Sequence, residues 1–323
     1  MASKWNLIVD VARCDNCRVC FLAVKDEYVG NDFPGCSAAQ PAQGHNWLDI
    51  RRKERGAYPL VEARFMPVMC NHCDDPPCLK AARDGAVRKR ADGIVIIDPE
   101  KSRGQRQIVD ACPYGAVSWN EERQVPQAWP FDAHLLDQGW TRTRAEQACP
   151  AHAFRTLKVE DEEMRRIQAG EGLEVLEPGL GTRPRVYYKN LRLMTRCFVG
   201  ATVVTRAGGT EECAAGVEVV LTKDGREVGR ATTDAFGEFK IDALEPDSTG
   251  YLLEASAPAG RCSTRFELGG ESRYLGVLAL AVAGAWCART RTSLVVAGAI
   301  LICWVLALGE AGHLLPAAKK VFP

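Results

Sequence analysis

The sequence predicts an α+β chain in three parts: a small, loop-rich domain organised by metal, an antiparallel β-sandwich, and an apolar C-terminal helix. Three observations predict it. Cysteine crowds the front of the chain, with nine of 14 in the first 150 residues and runs spaced two apart. Val217, Val219 and Leu221 alternate with polar residues ahead of an Asp224-Gly225 pair, the pattern of a half-buried hairpin. Ser293 to Gly309 is a run of 17 residues without a charge. At 323 residues, 46% hydrophobic and 25% charged, the chain is folded and long enough for two domains. Formal net charge is zero and no basic stripe forms, so no nucleic-acid partner is indicated.

Residues 1–160 carry the cysteine runs between short strand-like segments such as Gly93 to Asp98, each followed by Pro, Gly or charge. From 161 to 187 the composition turns to Glu, Gly and Pro, which buries little apolar area and predicts a linking or wrapping segment with a domain boundary. Residues 188–280 read as the sandwich, a structural or docking module without a convergent catalytic set. Residues 281–323 hold the uncharged run, at the lower limit for a single transmembrane helix; a helix docked on a partner subunit is the alternative. Arg289 and Arg291 before it and Lys319 and Lys320 after it leave its orientation undecided.

Cys14-x2-Cys17-x2-Cys20 is the ligand run of a bacterial ferredoxin, in which three thiolates of one tight loop grip a four-iron cubane. A second three-cysteine loop follows at Cys70, Cys73 and Cys78, and two Cys-Pro units at Cys112 and Cys149. In ferredoxins the fourth Cys of one run serves the other run's cluster, so each loop borrows a distant Cys-Pro. The count closes at two [4Fe–4S] clusters: Cys14, Cys17, Cys20 with Cys149, and Cys70, Cys73, Cys78 with Cys112. Zinc sites usually pair two CxxC hairpins, and disulfides need an oxidising compartment, which an N-terminus without an apolar signal region or twin Arg does not suggest. A cytoplasmic protein, or one associated with the membrane through its tail, is expected. His72, inside the second loop, reads as a hydrogen-bond donor to the site; His134 and His152 read as structural.

These residues resemble the iron–sulfur subunits of the dimethyl-sulfoxide-reductase superfamily of molybdopterin oxidoreductases, most closely the branch of the pyrogallol–phloroglucinol transhydroxylases. The resemblance runs through CDNCRVC, DIRRKERGAYP, MCNHCDDPPC, DGIVIIDPEK, ACPYGA, AHLLDQGW, QACP and RPRVYYKNL over about residues 5–280. It ends in TTDAFGEFKIDALEP, which looks like a transthyretin-like module. It implies a double-ferredoxin arrangement followed by that module.

The departures from the four-cluster pattern fall together. Val24 and Ala82 stand where each loop would have a further Cys, and Lys101 to Gln107 replaces the third run, as the transhydroxylase branch implies. Trp129, Asp132 and Ala145 replace the cysteines of the fourth run. Ala82 therefore belongs to one lost cluster, and Val24, Trp129, Asp132 and Ala145 to another. No Ser/His/Asp set, strand-linked GxGxxG or pterin site is visible, so the chain is expected to carry electrons and do no substrate chemistry. The resemblance implies a catalytic large subunit holding a molybdenum or tungsten bis-pterin centre; a membrane or quinone-linked acceptor is a further expected partner. The alternatives are a docking subunit whose clusters lie off the turnover path and a free two-cluster ferredoxin.

Overall fold

A computed structural model describes residues 2–207 and 210–281. The chain divides into two compact units: residues 1–199 with 241–249 and 267–274, and residues 200–240 with 250–266 and 275 onward.

The first unit begins with β1 (Lys4–Asp10), where Trp5 to Val9 are all buried. Such a run is expected for a strand covered on both faces. Leu7 and Val9 enter the main core, while Ile8 packs with Met164 and Leu173. The first cysteine loop leads into α1 (Val19–Tyr28), whose buried Cys20, Val24 and Tyr28 fall four apart on one face. A ribbon follows, β2 (Leu48–Ala57) and β3 (Leu60–Met69), antiparallel from Leu48↔Met69 to Ala57↔Leu60. The second loop enters α2 (Pro77–Ala81), whose initial proline has a fixed φ suited to a helix start. Two short hairpins, β4 (Val87–Lys89) with β5 (Val95–Ile97) and β6 (Ser118–Asn120) with β7 (Val125–Gln127), flank α3 (Gln107–Asp110) in sequence. After α4 (Ala133–Asp137) comes α5 (Arg144–Ala148), capped by Thr143, whose hydroxyl accepts the Glu146 N–H at 3.3 Å. Then β8 (Phe154–Val159) returns antiparallel to β1.

Residues 161–187, expected as a linking or wrapping segment, hold a helix and lead into a strand, and the first compact unit runs on through residue 199. The helix α6 (Asp161–Glu171) opens on three acidic residues that suit the positive end of its dipole and stops at Gly172, left-handed at φ 60°. The chain then reaches β9 (Val186–Lys189), which pairs parallel with β1 and completes the sheet order β8-β1-β9. Buried Arg185 ties the segment down, with nitrogen–oxygen distances of 2.6 Å to Asp74 and 2.8 Å to Asp161. This anchoring rests on ion pairs and a few apolar residues, which stand out little in a stretch rich in Glu and Gly. After α7 (Arg192–Thr195) the chain enters the β-rich part, from which residues 241–249 and 267–274 also belong to the first unit.

The remaining strands are β10 (Cys197–Ala207), β11 (Thr210–Cys213), β12 (Glu218–Lys223), β13 (Arg226–Thr232), β14 (Glu238–Leu244), β15 (Ser248–Ala257), β16 (Gly260–Leu268) and β17 (Arg273–Ala279). They form two four-stranded sheets, one ordered β13-β12-β15-β16 and the other β11-β10-β14 with β17 on β10. Between β12 and β13, Asp224 and Gly225 both have positive φ, 50° and 80°, the two-residue hairpin turn whose twist matches its strands. Val219 and Leu221 are buried while Glu218 is exposed. The uncharged run Ser293 to Gly309, expected as a helix, lies outside the described residues. Among the described residues no helix is long and apolar enough to cross a membrane.

Candidate metal centre

The loop between β1 and α1 is bent by two left-handed residues, Asn16 at φ 65° and Arg18 at φ 61°. For Arg18 this costs about 1–2 kcal/mol, whereas Asn is a type that tolerates it better. The bend turns a backbone N–H inward: that of Asn16 is hydrogen-bonded to the Cys14 thiol. Cys20 sits in the first turn of α1, and Cys149 closes α5. The Cys149 Sγ accepts the Ala153 N–H at 3.4 Å. Burial raises the Cys14 pKa, and Cys149 and Cys17 raise it further. Cys20 is pushed up to about 12, first by burial and then by Cys149 and Cys14. Four thiols that act on one another in this way lie together, although 129 residues separate Cys20 from Cys149.

The second loop, at the end of β3, repeats the arrangement. His72 is left-handed at φ 44°, and its backbone N–H is hydrogen-bonded to the Cys70 thiol. Cys78 lies in α2 and Cys112 just beyond α3. Cys70 is raised well above the usual thiol range by burial, then by Cys78 and Cys112. Cys78 is pushed up to about 12 by burial, then by Cys112 and Cys73. All cysteines among the described residues are free thiols.

Several neighbours of the second loop had no signal in the sequence. Lys89 donates to the carbonyls of His72 at 2.7 Å and Cys73 at 2.8 Å and pairs with Asp74 at 3.0 Å. It brings a positive charge to the loop, and burial lowers its pKa. The Thr182 hydroxyl is hydrogen-bonded to the Cys73 thiol, which lowers a pKa that burial raises. It comes from the segment that composition marked as linking or wrapping. The His72 ring accepts the Val95 N–H at Nδ1, 3.1 Å, so Nε2 carries the proton of the neutral ring. Burial, and then Lys89, pushes its pKa down to about 3. His134 Nε2 meets Glu27 at 2.8 Å, and its ring stacks on Phe33 with centroids 3.7 Å apart. His152 adopts φ 50° in the Cys149 turn, its carbonyl accepting from Arg13 at 3.1 Å.

Val24, Trp129 and Ala145 are buried in one core cluster. Asp132, also fully buried, is bonded into the same region. Its carboxylate accepts the Tyr28 hydroxyl at 2.7 Å, the Trp129 Nε1–H at 2.8 Å and the Arg144 backbone N–H at 2.7 Å. Burial raises its pKa, against the lowering effect of those bonds. Ala82 packs at the edge of a separate core with Cys78, Val87 and Cys112.

A family model described as a 4Fe-4S dicluster domain matches residues 61–159. The pyrogallol hydroxytransferase small subunit of Pelobacter acidigallici is 40% identical over 280 residues, covering 86% of this chain and 99% of its own. The arsenate respiratory reductase iron–sulfur subunit of Shewanella sp. (strain ANA-3) is 30% identical over 42% of this chain and 53% of its own. A tetrathionate reductase component of Salmonella typhimurium is 29% identical over 58% of this chain and 73% of its own. Among solved structures, a Klebsiella pneumoniae 5-hydroxyisourate hydrolase overlaps 29% of this chain and 97% of its own at 23% identity. Its TM-score of 0.23 is too low to carry an argument.

Proposed function

The chain belongs to the family of the pyrogallol hydroxytransferase small subunit, among the iron–sulfur subunits of molybdenum oxidoreductases, and on that premise we propose that it holds two [4Fe–4S] clusters. It is an electron-transfer subunit with a ferredoxin-like 4Fe–4S domain, made to work with a catalytic large subunit. In our reading Cys14, Cys17, Cys20 and Cys149 hold one cluster, and Cys70, Cys73, Cys78 and Cys112 the other. Bound there, each cluster would exchange single electrons.

The observation that carries this reading is the grouping of eight thiols into two quartets, each made of one tight loop and one distant turn. Their chemistry fits. Burial and the neighbouring thiols raise the pKa of Cys14 and Cys20 in one quartet and of Cys70 and Cys78 in the other, so these thiols resist ionising when bare; an iron core supplies the positive charge that makes four thiolates stable together. The chain's own part is to hold the thiols at fixed spacing and to aim the Asn16 and His72 backbone N–H groups at sulfur. A tungsten or molybdenum bis-pterin centre in the large subunit would do the substrate chemistry, with trihydroxybenzene-type substrates the nearest analogy. We assign the transthyretin-like sandwich a docking role, and the uncharged run Ser293 to Gly309 a membrane attachment near a quinone-linked acceptor.

The test is the metal content of the anaerobically purified complex: about 8 Fe and 8 sulfide per chain are expected, the content of two cubanes. About 12 Fe, or stoichiometric zinc, overturns the assignment. A second reading, in which the clusters only stiffen the subunit, is favoured by likeness to a hydroxytransferase, since moving a hydroxyl group between substrates needs no net redox change. Reduction and reoxidation of both clusters at the turnover rate would exclude it.

A further inference from the structure

Resting on the two-cluster reading, we propose that Tyr28, Asp132, Trp129 and His72 form the bridge along which electrons pass between the two thiol quartets. Cys20, Val24, Tyr28, Trp129 and Phe131 belong to one buried core, and close contacts link Tyr28 through to His72 beside the second quartet. Cys20, Val24 and Tyr28 share the buried face of α1. Tyr28 donates its hydroxyl hydrogen to Asp132 Oδ1 at 2.7 Å, and Trp129 Nε1–H donates to the same oxygen at 2.8 Å. The Trp129 ring lies edge-on to His72 with centroids 5.7 Å apart and stacks on Phe131 at 5.0 Å; Phe131 in turn lies 5.1 Å from His72. His72 stands between Cys70 and Cys73. Tyr28, Trp129, Phe131 and Asp132 are wholly buried and His72 nearly so.

Ordinary core packing does not account for the centre of this series. Burying a carboxylate is costly, and an apolar side chain would fill the same volume more cheaply. What Asp132 adds is direction: one oxygen fixes both the Tyr28 hydroxyl and the Trp129 indole, so the two rings are held by hydrogen bonds in one arrangement. Dense bonding matters for electron passage because a gap has no atoms through which donor and acceptor can couple. The balance is simple. One electron leaves a reduced cluster, which returns to its oxidised level, and the other cluster gains that electron. Tyr28, Asp132, Trp129 and His72 keep all their electrons and protons throughout.

The experiment uses the full complex, wild type and the variants Tyr28→Phe and Trp129→Leu. An electron is injected by a photochemical reductant, and its redistribution between the two clusters is followed by freeze-quench electron paramagnetic resonance. Iron content and the two reduced-cluster spectra are recorded on the same samples. We expect about 8 Fe in all three proteins, unchanged spectra, and an exchange rate lowered several-fold in Tyr28→Phe and roughly tenfold in Trp129→Leu, where a void replaces the ring. Unchanged exchange in Tyr28→Phe with both clusters loaded overturns the bridge and leaves the cluster reading standing. If Trp129→Leu loses iron, Tyr28→Phe alone decides. About 4 Fe in the wild type overturns the two-cluster reading, and the bridge with it.

Discussion

Replacing Asp132 by Ala tests whether the third-cluster position has become a bonded plug. The substitution leaves three donors facing an apolar methyl: the Tyr28 hydroxyl, the Trp129 indole N–H and the Arg144 backbone N–H. Each orphaned buried donor costs about 1–3 kcal/mol. Against this stands the relief of no longer burying a carboxylate, whose raised pKa reports that its charged form is disfavoured there. The balance is a loss of roughly 2–5 kcal/mol. Urea unfolding under anaerobic conditions, followed by tryptophan fluorescence, should show the midpoint lowered by roughly 0.5–1.5 M, the loss divided by an m-value of about 3 kcal/mol/M or more for a chain of this size. Asp132→Asn should fall between, because it keeps an acceptor for Tyr28 and Trp129 but turns an NH2 toward the Arg144 N–H. A loss below about 0.5 kcal/mol for Asp132→Ala, the range of ordinary surface changes, would refute the claim that these bonds hold the plug together.

Cys149→Ser should abolish the signal of the cluster assigned to Cys14, Cys17 and Cys20 and leave the other spectrum intact; equal loss of both would show that the pairing is wrong. Lys89→Gln removes a positive charge beside the Cys70–Cys73 loop, so the cluster there should become harder to reduce, by roughly tens of millivolts, with the other unmoved; potentiometric titration reads both. Acid should destabilise the fold. Asp137 is held low by its hydrogen bond from Arg90, and at Asp161 burial pushes upward but the bonds from Lys4 and Arg185 prevail. Depressed carboxyl pKa values contribute stability above the ordinary carboxylate range, about pH 4, and lose it as pH falls through the lower folded values. The melting midpoint should therefore drop between pH 5 and pH 3 by roughly several degrees, and a flat profile would contradict it. Finally, Val24→Cys, Trp129→Cys, Asp132→Cys and Ala145→Cys together should add about 4 Fe, whereas any one alone adds none, because a cubane needs four thiolates; a folded quadruple variant with no extra iron would show that these positions do not form one cluster site.

The sequence was most informative where chemistry is local and repeated. Three cysteines spaced two apart name a ligand loop without any knowledge of the fold, and Asp224-Gly225 names its turn. It was least informative where partners are distant. Asp132 is legible as a missing cysteine, but its bond to Tyr28 spans 104 positions and has no pattern to betray it. The left-handed conformations of Asn16, Arg18 and His72 leave no mark in the sequence, because Asn and His adopt them only in a minority of positions and Arg seldom, so only the closed loop reveals them. Residues 161–187 escape a reading by composition because Arg185 is anchored by pairing with Asp74, 111 positions earlier, and polarity alone looks the same in a tether and in a buried ion pair.

That anchoring bears on how far the redox part of the molecule can be detached. A fragment cut after the last cysteine turn, at residue 160, would contain every thiol of both quartets. It would still lack β9, the hydroxyl of Thr182 beside Cys73, and the guanidinium that ties Asp74 to the α6 start. The smallest autonomous electron carrier derivable from this chain is thus longer than its cysteine map: it extends to at least Lys189, and insertions between residues 172 and 185 would slacken the second quartet from a site remote in sequence.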